Sequence, residues 1–390
     1  MTGTEERAVW VEQIQDKQLA GQLTKSDVER IVDECAQLGA TKILWLLKAR
    51  VADTASVLWY DSGVGPAHPK ARVYDGLDDA VELAHQRGIQ VRAYFSVFPE
   101  GDPAAGDLDA GQSLLAQHPE WAVVDMNGKP TTFVCAGQPG YREYLQRLID
   151  EVLDDHSLDG IHLDFIRYPR AACFCARCLS QIAERFGHTR DDVVELIETR
   201  GFTSRSYDDR AIALHQADSL IDYYCQNVHD TVRSISAQLT SQHGGKQLSA
   251  AVFPNIRSAT SQVYCDWVGF ASYLDFVCPM VYWYSESYFR RTVERLTTIV
   301  RSQTTLLPGI SALGHPHTLA GTNDNFHDRA PDHEYVRRLI EQTREIETGG
   351  FALFHHAPIF GYQAGPYTTD TWGAPMDRDG LKDFLSFLER

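Results

Sequence analysis

The residues from Asp159 to Pro169 read Asp-Gly-Ile-His-Leu-Asp-Phe-Ile-Arg-Tyr-Pro. This is a short apolar strand that ends in polar residues. Side chains alternate faces along a strand, so His162 and Asp164 share one face while Ile161, Leu163 and Phe165 take the other. An imidazole and a carboxylate on a buried face cost several kcal/mol unless they are paired or used. At the carboxyl end of a strand in a parallel sheet or barrel, that use is chemistry or ligand binding. Asp164 is therefore the leading candidate for acid, base or nucleophile. His162 is a candidate to hydrogen-bond Asp164 or a ligand, and Arg167 and Tyr168 sit just past the strand where either could be contacted. Asp159 opens the strand at the opposite, stability end.

A second cluster follows at once. Cys173-Phe-Cys175-Ala-Arg-Cys178 places three thiols in six residues. Structural zinc takes four ligands, often cysteines, so the spacing predicts a structural zinc site on Cys173, Cys175 and Cys178, with Cys135 or a nearby histidine as fourth ligand. The alternative is a set of partly buried reduced thiols. No cofactor for catalysis is expected.

The elements that must position these groups alternate along the whole chain. Segments rich in Val, Ile, Leu, Phe, Tyr or Trp lie at 8–13, 41–48, 91–99, 159–168, 248–255, 274–283, 305–311 and 349–355, the composition of strands. Helical patterns separate most of them: 26–39, 77–87, 139–155, 287–303, 333–347 and 379–389. Eight such alternations predict an α/β chain, a (β/α)8 barrel formed as one domain over 1–390. The runner-up, an open doubly wound sheet, lacks a Gly-x-Gly-x-x-Gly after a first strand. The connection from 169 to 247 is oversized and predicts a helical excursion, with helices near 179–186, 190–200 and 208–239. Long loops also follow strands two, three, seven and eight, on the catalytic face of a barrel.

Bulk composition excludes several partners. The 390 residues carry a net charge of −17, which argues against nucleic acid or an anionic membrane surface. No apolar run reaches the about 18 residues of a bilayer span. The N-terminus is polar, with no secretory signal in the chain as it stands. Eight cysteines in this length are too few for a disulfide scaffold, so reduced thiols in the cytoplasm are expected.

Several motifs, in order, resemble the glycosyl-hydrolase-like 10 group of barrel proteins. His118-Pro119-Glu120-Trp121 with Asp125-Met126-Asn127-Gly128-Lys129 is similar to its HPEW…D-x-x-G-K segment. Gln138-Pro139-Gly140-Tyr141-Arg142-Glu143-Tyr144 is similar to its NPxxRxY helix start, and Asp159–Pro169 to its DGIHLDYIRYP strand. Ala250–Asn255, Cys265-Asp266-Trp267 and Asp275–Tyr282 resemble strand five, a downstream QDW and strand six. The resemblance implies a barrel acting on carbohydrate, a glycoside hydrolase or transglycosidase; it implies no particular sugar.

Most glycosidases use two carboxyl groups flanking the bond. A chitinase-type strand four would need a Glu where Ile166 stands, and an amylase-type acid would need a Glu near Asn255. Asp164 fits the amylase-type nucleophile position. Its partner is sought first at Glu286, just after strand six, then at Glu100 after strand three, then at Asp61. Aromatic planes suit sugar C–H faces, and Tyr94, Trp59, Tyr282, Trp283 and Tyr284 lie at strand ends with Phe98. Asn255, His315, His317, His355 and His356 are candidates to bind hydroxyls. Two other classes remain open: a carbohydrate-binding barrel without catalysis, and a metal-dependent hydrolase, which would want a His-x-His pair where the first strand reads Val9-Trp10-Val11-Glu12-Gln13.

Overall fold

The computed structural model describes residues 5–13, 22–51, 55–104, 113–169, 172–200, 207–282, 284–312, 332–362, 376 and 378–390. Eight parallel strands run in chain order round a closed barrel. They are β1 (Glu6–Val11), β2 (Lys42–Val51), β3 (Gln90–Ser96), β4 (Gly160–Asp164), β5 (Gln247–Val252), β6 (Phe276–Pro279), β7 (Thr305–Leu306 and Gly309–Ser311) and β8 (Gly350–Phe354). Each overlaps a segment picked out by its apolar pattern. β8 pairs with β1, setting Ala352 opposite Ala8. β7 closes the ring in two pieces, the first on β6 and the second on β8. Pro308 stands between the pieces, where its missing N–H cannot serve a ladder.

Strand parity sorts the core into two. Trp10, Leu44, Leu46, Tyr94, Phe276, Cys278 and Leu307 point into the barrel. Val9, Ile43, Phe95, Ile161 and Leu163 point out, against the helices. Full burial of such aliphatic and Phe side chains contributes about 1.5–3 kcal/mol each. One irregularity breaks the parity: in β2 Leu46 lies opposite Tyr94 but Lys48 lies opposite Phe95. The extra residue, Leu47, is a β-bulge, and it turns Lys48 to the outer side.

Local chemistry sets the helix ends. Thr24 caps Lys25–Gln37 in a reciprocal pair with Asp27, and Gly39 closes it with φ +63°, a conformation glycine adopts at low cost. Pro139 opens Pro139–Asp155, whose buried stripe is Tyr141, Tyr144, Leu145, Leu148, Ile149 and Val152. Between β4 and β5 lie helices Ala176–Phe186, Arg190–Arg200 and Tyr207–Gln242. The last lies along Pro139–Asp155, where Gln238 donates to the Gln146 carbonyl at 2.8 Å. After β3, a hairpin of Ala122–Val124 and Pro130–Val134 delivers Cys135.

Candidate active site

Asp164 is the last residue of β4, on the face that looks into the barrel mouth. Its buried carboxylate accepts the Tyr94 hydroxyl on Oδ2 at 2.9 Å. The same hydroxyl lies 3.2 Å from Oε1 of Glu12, just past β1 and also buried. A phenol carries one proton and cannot donate to both at once. The trio is satisfied when one carboxyl is protonated: that carboxyl donates to the phenol oxygen, and the phenol donates to the other carboxylate. Two carboxyls joined in this way can hold one proton between them and exchange it, which is what acid–base work requires.

Further contacts hold Asp164 in place. The Phe165 N–H donates to Oδ1 at 2.6 Å. Phe165 has φ +51°, a left-handed conformation that costs a bulky residue about 1–3 kcal/mol. Arg167 follows, its guanidinium 4.5 Å from the Phe165 ring and 5.0 Å from the Phe253 ring. Burial raises the Asp164 carboxyl above its usual range; the Phe165 N–H, the Arg167 charge and the Tyr94 hydroxyl pull the other way.

Aromatic residues wall the mouth. Tyr282 is buried and stacks on Phe354, with ring centroids 5.2 Å apart. Burial, then the Asp164 charge, push its phenol well above its usual range. Trp59 stacks on His68 at 4.2 Å, and its buried indole N–H has no hydrogen-bond partner among the described residues. His355 follows β8, fully buried, with neither ring nitrogen hydrogen-bonded among the described residues. Burial, then neighbouring His356, push it down to about 3. His356 itself lies behind the barrel, bonded to Glu34 at 2.7 Å.

Several residues expected at the mouth lie elsewhere. Glu286 is in the first turn of helix Glu286–Val300 and pairs with Arg338 at 2.9 Å, so it faces the neighbouring outer helix His333–Ile346. Glu100 is fully buried in the outer layer, 2.8 Å from Lys48 and 2.6 Å from the Tyr141 hydroxyl. Asp61 is exposed on a loop, its N–H donating to Asp75. Asn255 accepts the Ser258 N–H at 3.0 Å and caps helix Ile256–Val263. Tyr168 points to the cysteines, 3.6 Å from the Cys135 sulfur. His162 lies one layer below Asp164 with both nitrogens engaged, by the Trp10 N–H at 3.1 Å and the Ser249 hydroxyl at 2.9 Å. Burial pushes it down to about 3, so it is a neutral floor residue rather than a ligand contact. Trp283, His315 and His317 lie outside the described residues.

Glu12 was missed by the search for a second carboxylate after strands two, three and six. The signal was present in Trp10-Val11-Glu12-Gln13, where parity puts Trp10 and Glu12 on one face and Glu12 at the strand's carboxyl end. Gln13 follows and donates to the Leu46 carbonyl at 2.8 Å.

Beside the mouth, Cys173, Cys175 and Cys178 meet Cys135. All four sulfurs are buried and lie within 4.8 Å of one another, Cys135 and Cys178 at 3.4 Å.

Comparison with known proteins agrees with this architecture. Residues 27–165 match the family model described as hypothetical glycosyl hydrolase 6. That is less than half of the chain, but it spans β2 to β4 and ends just after Asp164. It supports a glycosyl-hydrolase-like chain without supporting the 10 group in particular. A glycosyl hydrolase of Bacillus subtilis strain 168, YngK, is 23% identical over 178 residues, which is 42% of this chain and 33% of that protein. This chain thus matches about a third of its relative's length. Among solved structures, α-L-fucosidase isoenzyme 2 from Paenibacillus thiaminolyticus aligns with a TM-score of 0.58 and 15% identity, over 99% of this chain and 49% of that one. The glycoside hydrolase domain of PgaB (BpsB) from Bordetella bronchiseptica aligns at 0.59 and 13%, over 90% and 94%. At such identities the likeness is one of fold, a (β/α)8 barrel.

Proposed function

We propose that the protein is a glycoside hydrolase or transglycosidase that cleaves a glycosidic bond of an oligosaccharide, polysaccharide or simple glycoside in the barrel mouth. The observation that carries this reading is the single Tyr94 hydroxyl between Asp164 and Glu12. Asp164 has two donors fixed on it and Arg167 nearby. It is the carboxylate that faces the anomeric carbon, as nucleophile or as the base that activates water. Glu12 carries the shared proton and gives it to the leaving oxygen. Tyr282, Phe354 and Trp59 offer apolar planes to a sugar ring. His355 and the Trp59 indole N–H have hydrogen-bonding capacity to spare for hydroxyls.

The glycosyl-hydrolase match over β2 to β4 and the barrel fold support the same class. The test is a screen of aryl glycosides and oligosaccharides, followed by Asp164→Asn on whichever is turned over. Loss of turnover with sugar binding retained is expected. Sugar binding without turnover in the wild type would instead favour a carbohydrate-binding barrel.

A further inference from the structure

Four cysteines converge beside the site from two separate segments. Cys135 follows the hairpin strand Pro130–Val134, and Cys173, Cys175 and Cys178 lie in the connection after β4. Cys175 is the N-cap residue of helix Ala176–Phe186, which puts Cys178 in its first turn. All eight cysteines are free thiols, and the 3.4 Å between Cys135 and Cys178 far exceeds the about 2.05 Å of a disulfide.

Four sulfurs at about 2.3 Å from one ion would stand a little under 4 Å apart at tetrahedral angles. The observed set, within 4.8 Å throughout, has that size and is too tight to enclose a polynuclear cluster. Among the described residues the four buried thiols keep mainly one another and tyrosine hydroxyls, Tyr168 among them, for polar company. From these positions we infer that Cys135, Cys173, Cys175 and Cys178 bind one Zn2+ in a closed tetrahedral site. A closed four-thiolate site leaves no open position for a substrate, so its role is structural.

What the ion ties together is specific. It joins the hairpin after β3 to the connection after β4, and contacts already bracket that joint. The Phe174 N–H donates to the Val124 carbonyl at 2.7 Å, and Arg177 Nε donates to the Gly137 carbonyl at 2.7 Å. Tyr168, whose hydroxyl lies 3.6 Å from the Cys135 sulfur, ends the turn that starts at Phe165. The clamp therefore holds the turn that hands Asp164 its backbone donor. The inference stands on the thiol geometry and does not depend on the glycosidase reading.

Binding releases protons from the thiols and involves no electron transfer. The experiment is elemental analysis and native mass spectrometry of full-length protein purified under reducing conditions without chelator. It is paired with the absorption spectrum of protein produced in Co2+-supplemented medium. Roughly one zinc per chain is expected, together with thiolate-to-cobalt charge transfer and the intense d–d bands of a tetrahedral ion. Cys178→Ser should lose the metal to a competing chelator, whereas Cys265→Ser, a buried thiol outside the cluster, should keep it. The cobalt spectrum of the wild type answers the question even if Cys178→Ser does not fold. Metal-free protein with no cobalt bands, iron in place of zinc, or disulfides among the four cysteines would overturn the inference.

Discussion

Trp10 donates its indole N–H to Nε2 of His162 at 3.1 Å, inside the barrel and beneath Asp164. That bond requires Nε2 to be unprotonated, so the imidazole proton sits on Nδ1, facing the Ser249 hydroxyl at 2.9 Å. Ser249 in turn donates to the Ile161 carbonyl at 3.3 Å. The chain of donors runs one way and has no place for a second imidazole proton. Burial enforces the same state, pushing His162 down to about 3.

This gives a pH dependence with a definite sign. The unfolded chain takes up a proton on His162 near pH 6.5, the folded one only near 3. Between those values the unfolded state binds more protons, so stability falls as pH falls. One such histidine contributes a slope of about 1.4 kcal/mol per pH unit, and His355, also about 3, adds a second. Urea midpoints of His162→Leu should decline less steeply from pH 6.5 to 4 than those of the wild type. At pH 7.5 the variant should be about 1–3 kcal/mol less stable, because Trp10 and Ser249 lose a partner. Parallel pH profiles would show that His162 is not held neutral.

For the carboxylate pair, Asp164→Asn should leave the thermal midpoint within a few degrees of the wild type and reduce kcat/KM by at least about 10^3. Glu12→Gln should spare an activated aryl glycoside, whose leaving group needs little protonation, while slowing a natural glycoside strongly. Equal loss on both substrates would remove the proton-donor role from Glu12. Tyr94→Phe should separate the two carboxyls' titrations and shift the pH–rate profile while the protein still folds. An unmoved profile would deny the shared proton.

Glu286→Gln should leave turnover unchanged. Its partner Arg338 is as exposed as it is, 39% for each side chain, and such pairs contribute about 0–1 kcal/mol. Steady-state rates and a denaturation curve check both statements.

Lys48 and Glu100 form a different kind of pair, 2.8 Å apart and 1% exposed on both sides. Burial pushes the carboxyl up and the ammonium down. Glu100→Leu should cost about 3–5 kcal/mol by leaving a buried ammonium uncompensated, and adding Lys48→Met should recover most of it. Chemical denaturation of the single and double variants measures the recovery. A double variant no more stable than the single would argue that the pair's value is in its hydrogen bonds.

The barrel was legible because apolar strand patterns and helical stripes recur in order, and because parity alone placed Asp164 at the mouth. The second carboxylate was not. Position after a strand does not separate a residue facing the mouth from one opening the next helix. Ser285 and Asn255 are both N-caps, and read as caps they would have assigned Glu286 and Asn255 to helix starts. Glu100 was obscure for another reason. Its partners Lys48 and Tyr141 lie 52 and 41 residues away in the chain, and the bulge that turns Lys48 outward leaves no mark in composition. Tyr168 belongs to the cysteines rather than the mouth because the Phe165 turn ends the strand earlier than its apolar run suggests.

The single inserted residue in β2 also sorts charge. Were Leu47 absorbed into a regular pleat, Lys48 would take the inward parity held by Leu46 and Ala49. A cation would then stand opposite Ser96, level with Asp164. It would favour the ionised form of that carboxyl. By spending one residue on a kink, the strand keeps its lysine among backbone carbonyls on the far side of the sheet. A backbone irregularity thus decides which side of the sheet carries the charge, and restoring the regular ladder there would act as an electrostatic mutation without any change of side chain.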